Sequence, residues 1–451
     1  MKCIFFISVY ARISISLLFF SQLSFAEDLQ QIIKLAQIQD MTYQTAIHKA
    51  SADKESYTQA RSRFMPTVLL QYQDIRTNQN VVQSANFLSP AGSDRFGSID
   101  KSLTISQPLF DLEIWTRFKQ SKNTVNRADA ELLQAKQALF LRTSEAYFLV
   151  LEREDQLATI RDEKTALSKH LLMAQQKKQA GLGRMVDVVT AEARYLESVA
   201  KELELESRLN DSHYALAEIT GSVMKNLLRL SEQVEYQLPQ PSNVQTWVDR
   251  ANQVNPAIVA KEQALMEAGH EVVARRTKHF PTVNLSYTNG NVNTDESAFS
   301  DRSNIDSKRI QLRVDVPIFQ GFYNSSRVTQ AISSRYRAQD ELRLLQRENE
   351  RSVRDAFRRI NASIMQIKAL TRSVQAQENM LRLKTKGYQA GRYTLIEVLD
   401  AQKDYSNQQQ GRTKARYDYV LNLLRLKASA GVITLEDIAK VNNWLTVKDP
   451  A

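Results

Sequence analysis

The sequence predicts a mainly α-helical protein with a small β part, built by internal duplication. Only 12 Gly and 9 Pro occur in 451 residues, a composition that favours long helices. The segment 389–402, QAGRYTLIEVLDAQ, repeats the segment 179–192, QAGLGRMVDVVTAE, at a spacing of 391 − 181 = 210 residues. This register continues without a gap to Gly221 and Gly431. The two halves of the chain are therefore copies of one plan.

The first 26 residues predict a signal peptide, so the mature chain is expected to be exported. Lys2 and Arg12 precede the apolar run 13–20, and Ser-Phe-Ala at 24–26 fits a small-x-small cleavage site. The apolar run is too short for a spanning helix, which disfavours an uncleaved anchor. The only cysteine, Cys3, lies in this leader, which excludes disulfides in the mature chain. No later segment has 18 consecutive apolar residues, so entry into a membrane would require strands.

The rest of the chain divides into two repeats and two segments that break the repeat. The predicted parts are a first repeat at 27–221, an inter-repeat equatorial segment at 222–246, a second repeat at 247–431 and a C-terminal equatorial tail at 432–451. Pro239 and Pro241 mark the break between the halves. Each repeat is predicted to run in one order, which is helix, β-hairpin, long helix, turn and helix.

In the first repeat, a helix at 28–64 precedes a β-hairpin at 66–107 with a polar loop at 78–98. A long helix then runs to Ala180 over about 70 residues, or roughly 105 Å at 1.5 Å per residue. The turn 181–185 leads into the last helix. Apolar residues follow the long helix at heptad-like spacings, and they are Leu132, Leu139, Ala146, Val150, Leu157, Ile160, Leu167 and Leu171.

The second repeat has a helix at 247–279, a β-hairpin at 281–316 with a loop at 291–307, and a turn at 391–394. Its last strand alternates strictly, with Ile310, Leu312, Val314 and Val316 on one face and Gln311, Arg313 and Asp315 on the other. Its long helix carries an apolar seam on a 4-3 spacing, made of Val353, Phe357, Ile360, Ile364, Ile367, Val374 and Leu381.

The two hairpins predict a membrane-embedded part. Strands with one apolar and one polar face fit a barrel with lipid outside and water inside. Four strands cannot close such a barrel, and an open edge is not viable in lipid, so the chain is expected to oligomerise. The smallest usual barrel has eight strands, which requires at least two copies. The long helices exceed any bilayer and carry charge, so they are expected to stand in water.

Six motifs resemble the TolC family of outer-membrane exit ducts, and together they cover nearly the whole mature chain. They are SQPLFD (106–111), SEAYFLVL (144–151), QAGLGRMVDV (179–188), VPIFQG (316–321), RDAFRRINASI (354–364) and GYQAGRYTLIEVLDAQ (387–402). The resemblance implies a homotrimer whose three chains of four strands give a 12-stranded transmembrane β-barrel. It also implies a TolC-like long antiparallel helical barrel, a coiled-coil tunnel, in the periplasm below an integral outer-membrane part.

The resemblance further implies the partners and a gate. The expected partners are a periplasmic adaptor (membrane fusion) protein, an inner-membrane ABC or RND-type transporter, and outer-membrane lipid. Glu397 and Asp400 match an acidic ring at the narrow entrance, and their i, i+3 spacing puts both on one helical face. Such a ring selects cations. Both acids, like Asp187, are also explained by the dipole of the helix they begin.

Links between inner and outer helices are implied for Tyr388 and Asp187, which match linking positions. The family's arginine two residues beyond the turn glycine is Tyr393 here, which leaves Arg392 and Arg184 as candidate replacements. The two turns also match sites that receive the adaptor. The residues expected there are Gly181, Leu182 and Gly183 in the first turn and Gly391, Arg392 and Tyr393 in the second.

A stripe of arginines, Arg343, Arg347, Arg351, Arg354 and Arg358, admits two interpretations. In the first, the stripe lines the tunnel and favours anionic cargo. In the second, it forms a solvated face of ion pairs, and the acids that lie between the arginines favour this second interpretation. No motif predicts a nucleotide loop, a paired-histidine metal site or a catalytic nucleophile. We therefore predict a non-enzyme without cofactors or metals. Nucleic-acid binding is not expected, because the charges are mixed along the helices.

The predicted function is a passive exit duct of a tripartite export system, gated at the helix turns. It would serve type I protein secretion, multidrug efflux or both, and the sequence does not identify the cargo, whether protein, drug or metal, or the particular transporter and adaptor. The alternative is a periplasmic coiled-coil scaffold or adaptor without a pore. The strand pairs discriminate between the two, because a scaffold has no use for an apolar outward face.

Overall fold

The structure, a computed structural model, describes residues 27–83, 91–297 and 301–446. The predicted signal peptide and the last residues of the predicted tail, 447–451, lie outside this part of the chain.

Long helices dominate the described part of the molecule. The helices are α1 (Leu29–Gln39), α2 (Met41–Ser62), α3 (Leu112–Gln179), α4 (Met185–Thr220), α5 (Val244–Val254), α6 (Pro256–Thr277), α7 (Tyr323–Gln389), α8 (Leu395–Ser429) and α9 (Leu435–Asn442). The strands are β1 (Thr67–Val81), β2 (Gly92–Phe110), β3 (Arg229–Leu230), β4 (Thr282–Thr294), β5 (Ser303–Asp315) and β6 (Leu445–Thr446). The two longest helices have 68 and 67 residues. Each therefore extends about 100 Å.

The two predicted first helices, 28–64 and 247–279, are each broken in two. Asp40 separates α1 from α2 and accepts a hydrogen bond from the backbone N–H of Tyr43 at 2.6 Å. Asn255 separates α5 from α6 and accepts one from the N–H of Ala257 at 2.9 Å. The breaks hold the same place in each repeat, because 66 − 40 and 281 − 255 both equal 26. The side chain of each residue caps the helix that follows it, which stabilises the interruption of the predicted helix at this point.

The four long strands form one antiparallel sheet in the order β1-β2-β4-β5. The predicted loops, 78–98 and 291–307, are wrong in extent, because β1 and β2 pair as far as Val81 and Gly92, and β4 and β5 as far as Thr294 and Ser303. β2 also continues past Gln107 through a bulge at Pro108. In the predicted loop 291–307, polar residues form hydrogen bonds between the strands: Asn291 Nδ2 donates to Asp306 Oδ1 at 2.7 Å. Polar composition alone therefore does not end a strand whose side chains bond to the next strand.

The sheet has the predicted apolar and polar faces. One row across the four strands consists of Val68, Ile105, Tyr287 and Ile310. The adjacent row, Thr67, Ser106, Ser286 and Gln311, is polar and lies on the other face. Ile310 is 77% exposed, although its side chain is apolar. Within the described residues β1 and β5 are the sheet edges, each paired on one side only.

The main apolar core surrounds the middle of the long helices. It gathers α1, α5, α9 and the small β3-β6 sheet around α3, α7 and α8, with Tyr147, Phe148 and Ile360 almost fully buried. The predicted seams lie here and further along the helices: Val150, Leu157 and Ile160 are buried on α3, and Val353, Ile360 and Ile367 on α7. In the described ranges no helix is long and apolar enough to cross a bilayer.

Candidate functional site at the two helix turns

The two turns at the far end of the long helices share one backbone geometry. Gly181 and Gly391 take left-handed φ values of 73° and 74°. The N–H of Leu182 donates to the carbonyl of Lys177 at 2.9 Å, and the N–H of Arg392 to that of Gly387 at 2.8 Å. These bonds, with a second bond from each glycine N–H, satisfy carbonyl groups at the helix end. The duplicated QAG motif therefore ends both long helices in the same way.

The tips of the turns are exposed and differ in chemistry. Leu182 is 84% exposed, the largest apolar surface of the first turn. In the second turn Tyr393 is also exposed, and its ring lies against Gly387, where an added Cβ would overlap it. Gly181 and Gly391 have open space around the position of a Cβ, whereas an added Cβ on Gly183 would lie 2.8 Å from the backbone nitrogen of Lys178. The predicted docking residues thus form two exposed tips, one with an aliphatic side chain and one with an aromatic ring.

A small apolar cluster holds the two turns together. All four helices that meet there contribute to it: Leu167 and Ala174 from α3, Val188 and Ala191 from α4, Tyr388 from α7, and Leu395, Val398 and Leu399 from α8. This cluster is separate from the main core around the middle of the helices. The two helix hairpins therefore have their own local packing at the turn end.

Tyr388 lies in this cluster and is 8% exposed. The ammonium nitrogen of Lys177 sits 3.9 Å from the centre of its ring, a cation–π distance that joins α3 to α7. Burial raises the pKa of the Tyr388 hydroxyl, and the nearby Asp187 carboxylate raises it further. The predicted pair Tyr388 and Asp187 are thus neighbours, and Lys177 is a contact that the sequence analysis did not identify.

Arg184 and Asp187 pair within the first turn. Arg184 Nη2 lies 2.9 Å from Asp187 Oδ1, and this hydrogen bond raises the pKa of the arginine. Arg184 stands at the start of α4 but gives its backbone no side-chain cap. Of the two candidate replacements for the missing arginine, Arg184 is therefore next to Asp187. Among the described residues Arg392 forms no ion pair.

Glu397 is part of a capping box at the start of α8. Its carboxylate accepts from the backbone N–H of Thr394 at 2.8 Å, and its own N–H donates to the Thr394 hydroxyl at 3.4 Å. The backbone hydrogen bond, followed by the hydroxyl hydrogen bond, lowers the pKa of Glu397. In this conformation the carboxylate thus stabilises its own helix. The sequence analysis did not identify Thr394, although the T-x-x-E spacing at 394–397 is the sequence pattern of a capping box.

Asp400 forms an ion pair between the two hairpins. Arg194 Nη2 of α4 lies 3.2 Å from Asp400 Oδ1 of α8. Arg194 also contacts Glu197 of its own helix at 3.2 Å. The structure therefore places the two predicted ring acids differently, because Glu397 is turned into a cap and Asp400 towards an arginine. The local sequence around Arg194 does not predict this contact, because the contact depends on how two helices that are distant in the chain pack together.

The arginine stripe of α7 is interleaved with acids as predicted. Arg354 pairs with Glu350 at 2.8 Å and also reaches Gln245 of α5. Arg343 lies 3.7 Å from Asp340, and Arg358 pairs with Asp355. For these three arginines the arrangement is a solvated face of local ion pairs, which contribute little each.

Three comparisons with known proteins agree with this architecture. The model of the family described as outer membrane efflux protein matches residues 32–222 and 247–432. The outer membrane protein TolC of Escherichia coli K12 is 28% identical over 444 residues, which cover 96% of this chain and 88% of the relative. The alkaline protease secretion protein AprF of Pseudomonas aeruginosa is 25% identical over 95% of this chain and 89% of the relative.

Solved structures show the same fold at low sequence identity. The outer membrane channel CmeC of Campylobacter jejuni superimposes with a TM-score of 0.77 at 15% identity, covering 93% of this chain and 90% of CmeC. At this identity the likeness concerns the fold alone. The four-stranded sheet on long helical hairpins is therefore a known architecture.

Proposed function

Because the chain belongs to the outer membrane efflux protein family, and is thus an outer-membrane exit duct with a large helical part in the periplasm, we propose that it works in a tripartite export system. In that system an inner-membrane transporter of the ABC or RND type and a periplasmic adaptor deliver the substrate, which then passes passively through the duct. Type I protein secretion and multidrug efflux are both proposed roles. One relative is named for the secretion of alkaline protease, which supports the first.

The observation that carries the proposal is the four-stranded sheet with an exposed apolar face and two edges. Leu312, Val314 and Leu70 are all exposed on that face. Lipid would cover the apolar side chains, and other copies of the chain would pair with β1 and β5. We propose a homotrimer, in which three sheets close a 12-stranded barrel. The chain is assigned no catalytic activity.

The two turns are proposed as the gate and the adaptor site. Tyr388 and Asp187, with Arg184 beside them, lie where the two hairpins meet, and the small apolar cluster around Tyr388 keeps the hairpins together. Leu182, Tyr393 and Arg392 stand at the exposed tips, where a partner helix pair would reach them. Glu397 and Asp400 are proposed to form an acidic ring that lines the narrow entrance of the duct.

Single-channel conductance in a planar bilayer tests this function. The purified wild-type protein is expected to give a small, stable conductance that a trivalent cation, La³⁺, reduces from the turn side. The double variant Glu397→Gln/Asp400→Asn should lose most of that block, because both charges leave while the side-chain sizes stay. The substitution pair Glu204→Gln/Glu206→Gln, which removes two acids further along α4, serves as the matched control and should keep the block.

Two results would contradict the proposal. Absence of conductance despite confirmed insertion into the membrane would exclude an openable duct. A fully soluble protein that never enters membranes would favour the scaffold interpretation instead.

A further inference from the structure

The arginine stripe of α7 has a counterpart of opposite charge on α4. Arg351 and Arg358 lie seven residues apart on α7, and both residues are exposed. Asp211 and Glu218 lie seven residues apart on α4, and both are exposed as well. Within the described residues Arg351, Asp211 and Glu218 form no ion pair, and Arg358 pairs only with Asp355 of its own helix. Two sets of opposite charge with the same spacing therefore stand on two helices without meeting in a single chain.

The packing of α3 against α8 shows how a helix of one repeat meets a helix of the other. Three hydrogen bonds fix the antiparallel register of this contact. They join Gln137 to Gly431 at 2.8 Å, Glu145 to Arg425 at 2.8 Å and Asp155 to Tyr417 at 2.6 Å. The sums 137 + 431, 145 + 425 and 155 + 417 all lie between 568 and 572. The two residue numbers at any level of the α3–α8 contact therefore add up to about the same value.

The internal repeat relates the α3–α8 contact to one between α7 and α4. The repeat adds 210 to a position of α3 to give α7, and subtracts 210 from a position of α8 to give α4, so the sum is unchanged. In the described chain α7 and α4 show no packing comparable to that of α3 and α8. Yet 351 + 218 and 358 + 211 both equal 569, which lies within the observed range. If α4 of a second copy lay on α7 as α8 lies on α3, Glu218 would face Arg351 and Asp211 would face Arg358.

The equivalent positions of the α3–α8 contact are buried or partly buried in the protein interior. The equivalents of the two arginines and the two acids, 210 residues away, are Leu141, Phe148, Leu421 and Ala428. All four belong to the main apolar core or pack against it. Where one contact has apolar residues on both helices, the other thus offers arginines on one helix and acids on the other. A change on one side alone would place a charge against an apolar surface, whereas the matched change leaves two complementary surfaces.

We propose that the arginine stripe of α7 is the docking surface for α4 of a second copy of this chain. In this contact Arg351 pairs with Glu218 of the second copy, and Arg358 pairs with its Asp211. The inference rests on the proposed function, in which three copies close one barrel. The stripe then faces a neighbouring copy and not the cargo. The charges also fix the offset between copies, because a shift of one heptad would leave an arginine and an acid without their partners.

Cross-linking between copies tests the register. Because Cys3 is the only cysteine in the sequence and lies in the predicted signal peptide, new cysteines can be placed at chosen positions. A short bismaleimide should link most chains of Arg351→Cys/Glu218→Cys into covalent dimers and trimers, and neither single variant should link. Arg351→Cys/Asp211→Cys is the matched control, because its second cysteine lies seven residues, or about 10 Å, further along α4. The control should link far less, and equal linking of both pairs would overturn the proposed register.

Charge reversal tests the pairing itself. Arg351→Glu/Arg358→Glu should lower the temperature at which the heat-modifiable oligomer dissociates, because acids then face acids between copies. Adding Asp211→Arg/Glu218→Arg to the same chain should raise that temperature back towards the wild-type value. Arg359→Glu is the control and should have little effect, because residue 359 lies about 100° further around α7. A quadruple variant that is no more stable than the double variant would contradict the pairing.

The same experiments separate failure of this contact from failure of the duct. Oligomers that conduct ions but show no register-specific link refute the contact and leave the duct standing. Register-specific links in a membrane-inserted protein without conductance support the contact and refute the duct. A chain that stays monomeric in every assay refutes both.

Discussion

At the scale of single residues, the two turns show how equivalent positions acquire different roles. Arg184 and Asp187 occupy the positions of Thr394 and Glu397, since 184 + 210 = 394 and 187 + 210 = 397. In the second turn the acid completes a capping box with a threonine. In the first turn the arginine pairs with the acid instead. The residue three positions before the acid therefore decides whether the acid caps its helix or forms an ion pair.

His170 is a second residue whose role depends on its surroundings. It is buried on α3 beside Leu167 and Leu171 of the small apolar cluster, and its Nδ1 finds no hydrogen-bond partner in the described structure. Burial lowers the pKa of its imidazole below the ordinary value of 6.5. The folded protein therefore holds the neutral form, while the unfolded chain takes up a proton at about pH 6.5.

We predict that acid weakens the turn end through His170. Stability from the neutral imidazole is present above pH 6.5 and is lost as the pH falls through 6.5 towards the lowered pKa. The variant His170→Gln should lose less stability than the wild type between about pH 7.5 and 5, because it has no proton to bind there. Thermal unfolding at several pH values measures this. His48→Gln, at an exposed position, should follow the wild type; an identical pH dependence in both variants would exclude His170 as the cause.

At the scale of helices, the packing between α7 and α8 of the second hairpin is uneven. Apolar clusters hold the middle of the helices and the turn end, whereas the stretch between them uses polar contacts on α8. In this stretch the hydroxyl of Ser373 on α7 donates to the side-chain oxygen of Gln408 on α8 at 3.2 Å. Such contacts are easier to exchange than interlocked apolar side chains. The second hairpin is therefore held mainly at two places along its length.

The glycines that follow α7 and α8 end their helices in the same conformation but differ in their surroundings. Gly391 and Gly431 share a left-handed φ of 74° and 72°. Gly391 has open space around it, whereas an added Cβ on Gly431 would lie close to the backbone of Asn255 at the α5–α6 break. Gly391→Ala should cost about 1 kcal/mol, the price of a left-handed alanine. Gly431→Ala should cost clearly more, because a main-chain contact must also shift.

Urea unfolding of both variants, followed by circular dichroism, compares them directly. Equal destabilisation would mean that the contact with Asn255 relaxes without cost. The sheet should be unaffected in either variant, since both glycines lie in the helical part.

At the scale of the whole molecule, the position of the sheet relative to lipid decides which substitutions are tolerated. Neighbouring residues of β5 point to opposite faces, with Leu312 in the apolar row pattern and Gln311 in the polar one. We predict that Leu312→Arg blocks membrane assembly, because an arginine facing the bilayer centre costs about 2–4 kcal/mol. Gln311→Arg is the matched control and should assemble normally, because its side chain faces water.

Heat-modifiable oligomers in outer-membrane fractions report this assembly. If both arginine variants assemble equally well, the apolar face is not in contact with lipid. If neither assembles, the damage is to the strand itself and not to its apolar face.

Much of the architecture followed from local patterns in the sequence. The repeat, the long helices, the four strands with alternating faces and the two glycine turns each depend on residues close together in the chain. Gly181 and Gly391 suffice to end their helices, and the alternation around Leu312 suffices to give the strand two faces. The extent of the strands was underestimated, because side chains such as Asn291 bond to a neighbouring strand that sequence composition does not reveal.

The contacts between the hairpins were decided by the tertiary structure alone. The sequence marked Asp400 as an acid near a helix start, but its partner Arg194 lies 206 residues away. The same holds for Lys177 on the ring of Tyr388. Local periodicity specifies which face of a helix is apolar, whereas the partner of a charged side chain depends on the rotation and offset at which two helices pack. The sequence by itself therefore determined the elements and their faces, and only the packed structure determined which charges meet at the turn end.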